Sequence, residues 1–200
     1  AGRTSLGVQN NFKEVVLAKK IKFSHKALLN IDYTVDFVAD NGALTCGKPG
    51  QDIEGAILHV TEEFIAAGDL VVFAIDTHQK DDQYHPESKL FPPHNIEGTE
   101  GRDLFGKLKD VYENNKNSEQ VYWMNKTRYS AFAGTDLELK LRERQITEVH
   151  LVGVCTDICV LHTAVDAYNK GFKVVVYKDA VASFNQLGHE WALGHVQNSI

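Results

Sequence analysis

The stretch VHLVGVCTDICVLHTAVDAYNKGFKVVVY, residues 149–177, holds a strand, a helix and a second strand in immediate succession. Residues 149–153 and 173–177 are short, apolar and rich in β-branched side chains, and both read as buried strands. Between them, residues 157–170 carry helical periodicity and stop at Gly171, the residue type that most easily closes a helix in a left-handed conformation. A strand, a covering helix and a strand in this order imply parallel pairing through a right-handed crossover.

The same alternation runs outward from this stretch. Residues 27–31 (ALLNI), 70–75 (LVVFAI) and 120–124 (QVYWM) read as three further strands. Residues 52–67 form a helix that stops at Gly68, residues 136–144 form another, and a final helix is expected around 189–197. The fold class is therefore α/β, a three-layer α/β/α sandwich around a mainly parallel sheet. With 200 residues, 43% of them apolar, no Pro/Gly/Ser-rich linker and no internal repeat, the chain is read as one domain over residues 26–200. Residues 1–25, which include the basic and apolar FKEVVLAKKIKF, precede it as an extension to which the sequence assigns no role. The chain stops soon after the expected last helix, which leaves room for a further terminal segment.

Charge and composition narrow the function. A net charge of −6 without any basic stripe gives nucleic acid nothing to bind, so a small molecule is the expected partner. No run approaches the roughly 20 apolar residues of a membrane span, and no secretory leader is recognisable, so a cytoplasmic protein without membrane contact is expected. Three cysteines, Cys46, Cys155 and Cys159, are too few and odd in number for a disulfide framework, and free thiols are expected.

In open α/β sheets, ligands bind beyond the carboxyl ends of the strands. Those ends carry, in order, Asp32, the segment DTHQKDDQYHPESKLFPPH (76–94), MNKTRYSAF (124–132) and GVCTDICV (153–160). Thr156 or Asp157 reads as the cap of the following helix, which would put Cys159 in its first turn, where the helix dipole favours a thiolate. Cys159, His162, Thr163, Asp166 and Lys170 line up as a polar stripe, and Ile158, Leu161, Val165 and Tyr168 as the apolar, core-facing one. Cys155, at the strand end, reads as a small buried hydrophobe, and the C-x-x-x-C spacing is not that of a C-x-x-C redox or zinc site. A thiol needs a positive neighbour and a base: Lys126 would lower its pKa and Asp32 would take its proton, which makes acyl transfer possible. Asp76 and His78, two apart in extended chain, face the same way as two ligands of one ion should. Further ligands must come from His85, Glu87 and His94, and such a nitrogen and oxygen set suits Zn²⁺, Fe²⁺ or Mn²⁺.

The motifs IDYTVDF, DTHxxxxxxHPES…FPPHN, WMNKTRYSAF and GVCTDICVLHTAxDA, in this order, resemble the nicotinamidase branch of the isochorismatase-like cysteine hydrolases, from about residue 27 to the end. The resemblance implies a catalytic set of Asp32, Lys126 and Cys159, with Cys159 as nucleophile. It implies a cis peptide between Val154 and Cys155, and an oxyanion hole made by the backbone N–H groups of Cys155 and Cys159. It implies a divalent metal, Zn²⁺ ahead of Fe²⁺ or Mn²⁺, on Asp76, His78 and His94, with Glu87 as fourth ligand and His85 as the runner-up. The ion would position a pyridine nitrogen and would not activate water, and Phe37, Phe91 and Tyr129 would wall the ring. The implied reaction is hydrolysis of nicotinamide to nicotinate and ammonia in NAD salvage, with pyrazinamide as a second substrate, and the implied assembly is a homo-oligomer.

Other readings lead elsewhere. An N-carbamoyl amidase of the same fold would keep thiol, acid and lysine but would not need the metal ligands, and an isochorismatase would lack the nucleophilic cysteine. A non-catalytic binding protein, or a redox sensor built on Cys155 and Cys159, would need none of this chemistry.

Overall fold

The structure, a computed structural model, describes residues 24–200. The stretch 12–23, with nearly all of the expected extension, lies outside the described residues. Five parallel strands, β1 Lys26–Ile31, β2 Leu70–Asp76, β3 Val121–Lys126, β4 Glu148–Val154 and β5 Lys173–Ala182, form one sheet in the order β3-β2-β1-β4-β5. The helices are α1 Val35–Val38, α2 Lys48–Asp52, α3 Glu54–Ala67, α4 Lys107–Asn115, α5 Leu137–Glu143, α6 Leu161–Asn169 and α7 Gln186–Ser199.

Composition decides which strands lie in the middle. All seven residues of β2, LVVFAID, are buried, and so are all but the first of β1 and β4, because helices cover both faces of a parallel sheet. On one face Ala27, Leu29, Ile31, Val72, Ala74 and Leu151 pack against Leu137 and Leu141 of α5 and Ala164 and Ala167 of α6. On the other, Leu28, Val71, Phe73, Ile75 and Val152 pack against Ile57, Val60 and Phe64 of α3 and Leu108 of α4. Each buried Val, Leu, Ile or Phe side chain among these contributes roughly 1.5–3 kcal/mol. Strands β3 and β5, at the edges, are only partly buried.

Two glycines are required by geometry. Gly68 closes α3 at φ +79°, donating its N–H to the carbonyls of Phe64 and Ile65, as the sequence predicts. Gly153, at φ +119°, lies so close to β1 that a Cβ would stand 1.9 Å from the Ile31 carbonyl oxygen. Only a glycine lets β4 approach β1 there, immediately before the cysteine motif.

Several boundaries differ from the sequence reading. Helix α4, KLKDVYENN, is polar apart from Leu108, Val111 and Tyr112 and is not among the expected helices, and β5 runs through the polar Lys178 and Asp179 to Ala182 instead of ending at Tyr177. The helix expected over residues 157–170 is a π turn, Thr156–Val160, followed by α6. Its buried face is Cys159, Val160, Thr163, Ala164 and Ala167, whereas Tyr168 is exposed. Small side chains let this helix sit close to the sheet, so the bulkier stripe predicted to face the core is turned aside and Cys159 points inward.

Candidate active site

Register brings the strand ends together. Ile31 pairs with Ala74 on one side and with Gly153 on the other, so Asp32 lies between Asp76, two residues past Ala74, and Cys155, two past Gly153. Asp76 pairs directly with Lys126. The chain reverses direction across the sheet between β1 and β4, the kind of place where doubly wound folds open a crevice. Asp32 adopts φ +53°, a left-handed conformation that aspartate tolerates better than most side chains, and strain of this kind concentrates at functional sites. Its Oδ1 accepts the Asp76 backbone N–H at 2.8 Å.

Lys126 is fully buried and is the hub of the cluster. Its Nζ lies 3.0 Å from Asp32 Oδ2, donates to Asp76 Oδ1 and to the Arg128 carbonyl at 3.0 Å, and stands 3.5 Å from Cys159 Sγ. Burial opposes its charge, but Asp32 and Asp76 outweigh that and hold it protonated well above the usual lysine range. The carboxyl of Asp32 is pushed up to about 6 by burial and by Asp76, against the pull of Lys126. Burial also pushes the Cys159 thiol well above the usual range; Lys126 opposes this, but Asp32 and Asp76 add to it. The expected resting thiolate is therefore not met: one ammonium shared by two carboxylates is too little to ionise a desolvated thiol. The expected side-chain cap is missing too, since the π turn starts from Cys155, whose carbonyl accepts from Ile158 at 3.1 Å and Val160 at 3.2 Å. Widened turns of this type are frequent at functional sites.

The two cysteines of the motif are separate. All three cysteines are free, and the Cys155 thiol stands 3.6 Å from that of Cys46. The peptide joining Val154 to Cys155 is cis.

Beside the thiol, Asp76, His78, Glu87 and His94 place one donor atom each within 4.8 Å of one another. His78 Nε2 is 3.8 Å from Asp76 Oδ2 and 4.0 Å from Glu87 Oε2, and His94 Nε2 is 3.6 Å from Glu87 Oε1. These separations are too long for good hydrogen bonds. They are near the roughly 3.4 Å between ligands about 2.1 Å from a tetrahedral ion. His78 Nε2, Glu87 Oε2 and His94 Nε2 are buried without a hydrogen-bond partner, which is costly unless something else satisfies them. The Nδ1–H of His94 donates to the Pro92 carbonyl at 2.8 Å, which leaves the Nε2 lone pair facing the cluster. Burial lowers the His94 pKa, but Glu87 and the Pro92 carbonyl raise it above its ordinary value. His85 is already engaged on both sides: its Nε2 donates to the Thr127 carbonyl and its Nδ1 accepts from the Glu87 N–H at 3.1 Å. Of the two candidates for the fourth donor, Glu87 is the one left free.

Phe37, Phe91 and Tyr129 line one cavity together with Asp76, Glu87, His94 and Cys159. Phe37 and Phe91 each set an edge against His94, with ring centroids 5.3 and 6.2 Å apart. The cavity also includes Leu44, Cys155, Ile158 and Phe184, which the sequence reading missed as walls. Phe184 was legible in principle: it follows a strand end, but the fifth strand was expected to stop before the polar residues that carry it onward.

Residues 26–200 match the family described as Isochorismatase domain. A Bacillus subtilis protein described as "Uncharacterized isochorismatase family protein PncA" is 70% identical over 175 residues, covering 88% of this chain and 96% of its own. The crystal structure of nicotinamidase PncA from Bacillus subtilis superposes with a TM-score of 0.86 at 66% identity, covering 88% of this chain and 96% of that one. The pyrazinamidase of Pyrococcus horikoshii, solved in complex with zinc, gives a TM-score of 0.76 at 28% identity, covering 87% and 95%.

Proposed function

This chain belongs to the isochorismatase family, and on that footing we propose that it is a nicotinamidase, a cysteine hydrolase that converts nicotinamide to nicotinate and ammonia. The observation that carries the reading is that Asp76 belongs to both halves of the site: one oxygen bonds Lys126 beside Cys159, and the other faces His78 in the donor cluster. A carboxamide on a ring that the donor cluster engages would meet the thiol.

Cys159 Sγ attacks the carboxamide carbon as its proton passes to Asp32. A carboxylate with a pKa of about 6 is ionised at neutral pH yet basic enough to accept that proton, so no resting thiolate is needed. Lys126 stays protonated and stabilises the sulfur as charge develops on it. The tetrahedral oxyanion is held by the backbone N–H groups of Cys155 and Cys159. Collapse breaks the C–N bond while Asp32 returns its proton to the departing ammonia, and a thioester remains on Cys159. Water, deprotonated by Asp32, then adds to the thioester, and nicotinate and the thiol are released. Asp76, His78, Glu87 and His94 would hold a divalent ion, Zn²⁺ ahead of Fe²⁺ or Mn²⁺, whose chemistry here is to bind the ring nitrogen and orient the amide. Phe37, Phe91 and Tyr129 hold the ring from its sides.

Pyrazinamide keeps the ring nitrogen and the amide and is expected to be a second substrate. The donor cluster disfavours an N-carbamoyl amidase, which has no use for it. Ammonia release from nicotinamide, pyrazinamide and an N-carbamoyl amino acid, measured side by side with metal content, tests the proposal. Turnover of the first two by metal-containing protein is expected, and turnover confined to the N-carbamoyl substrate would overturn it.

A further inference from the structure

We infer that Phe184 is a specificity-determining residue, closing the mouth of the cavity against Phe91 and limiting it to single-ring ligands. That the ligand is a carboxamide rests on the nicotinamidase reading; the closing of the mouth does not.

Three observations support the inference. Phe184 lines the same cavity as Cys159 and His94, yet comes from the loop after β5, the edge strand farthest from the donor cluster. Its ring meets that of Phe91 edge to face, with centroids 6.4 Å apart at 63°, so two loops from separate strand ends touch across the opening. Both rings keep an outer side toward solvent, and Phe184 is 41% exposed, a cost that core packing does not explain.

The backbone on each side of Phe184 is pinned. Ser183 Oγ donates to Asp157 Oδ1 at 2.7 Å, tying the loop to the π turn that carries Cys159. Ser183 Oγ also accepts the Asn185 N–H at 3.1 Å, and Asn185 Oδ1 caps α7 by accepting the Gly188 N–H at 3.1 Å. Thr156 of the same turn is hydrogen-bonded to His189 of α7 at 2.6 Å. The ring is thus presented by a fixed loop, in register with the nucleophile. A fixed aromatic wall excludes by size: it accepts a flat six-membered ring and rejects a second fused ring that would need its space.

Two measurements on wild type, Phe184→Ala and Phe184→Leu test this. The first compares kcat/KM for ammonia release from nicotinamide and from quinoline-3-carboxamide, which adds a fused ring. Phe184→Ala should shift the ratio toward the larger substrate by about tenfold or more, with Phe184→Leu in between. The second follows alkylation of Cys159, by mass spectrometry of its peptide, with iodoacetamide and with N-phenylmaleimide. Phe184→Ala should favour the bulky reagent by a similar factor. Ratios within about twofold of wild type in the alkylation experiment would overturn the inference. Wild type that releases no ammonia from nicotinamide would instead overturn the nicotinamidase reading, and the alkylation ratio would still decide the role of Phe184.

Discussion

Buried histidines lie at both ends of the sheet. At the amino-terminal end of β4, His150 is hydrogen-bonded through Nδ1 to the Tyr177 hydroxyl at 2.8 Å and through Nε2 to Glu148 at 2.7 Å, so both ring nitrogens are satisfied. Beyond the carboxyl end of β2, His78 and His94 are equally buried, yet each holds an Nε2 with no hydrogen-bond partner, aimed at the carboxylates of Asp76 and Glu87. Burying polar groups is costly, and a protein recovers the cost either by pairing them internally or by leaving them for a ligand. The first arrangement supports the fold. The second is a set of donors that a cation would complete, and it adjoins the buried Lys126 and the Cys159 thiol. Burial alone does not distinguish the two; satisfaction does.

Substitutions at the two ends should therefore separate activity from stability. The largest effect is expected from Cys159→Ala, which should lower ammonia release from nicotinamide by about 10³-fold or more while changing stability by no more than about 1 kcal/mol. Steady-state kinetics and denaturant unfolding check this, and residual turnover near wild type would remove Cys159 as the nucleophile. His94→Ala comes next: metal content should fall, and KM for nicotinamide should rise about 10- to 100-fold, more than kcat falls. An unchanged KM in protein shown to have lost its metal would contradict the positioning role.

At the other end the pattern should invert. His150→Phe leaves the Tyr177 hydroxyl and Glu148 without their partner and should cost about 1–3 kcal/mol in unfolding free energy, with kinetics per folded molecule unchanged. Burial holds the His150 pKa below its ordinary 6.5, more than Glu148 raises it. As pH falls below about 6.5, the unfolded chain therefore takes up a proton that the native imidazole resists, and stability is lost. His150→Phe removes this contribution, so its unfolding free energy should fall less steeply than that of wild type between neutral pH and pH 5. The smallest effect is expected from Cys155→Ala, which keeps the backbone N–H the mechanism uses. A large loss of activity in that variant would give the Cys155 thiol a role that its packing against Cys46 does not suggest.

The sheet was legible because central parallel strands are continuous apolar runs, and LVVFAI and VHLVG admit few other readings. The site was legible because chemistry gathers at strand carboxyl ends, so Asp32, Asp76, Lys126 and Cys159 could be grouped before their distances were known. What periodicity missed was set by tertiary packing. The inward face of the π turn and α6 is made of Cys159, Val160, Thr163, Ala164 and Ala167, mostly small side chains. The helix-dipole argument for a thiolate considered one helix end and one lysine, but desolvation and two carboxylates reverse its sign. Phe184 lay hidden because Lys178 and Asp179 interrupt the apolar run of an edge strand, where polar side chains reach water without breaking the ladder.

The central claim is that the unsatisfied donors and the thiol form one site, the donors holding a ring for the thiol to attack. Calorimetric titration of nicotinamide into Cys159→Ala protein, once loaded with Zn²⁺ and once stripped of metal, tests it without any chemistry intervening. The account predicts clear binding to the loaded protein and an affinity weaker by about tenfold or more after stripping. Equal affinities in the two forms would contradict it.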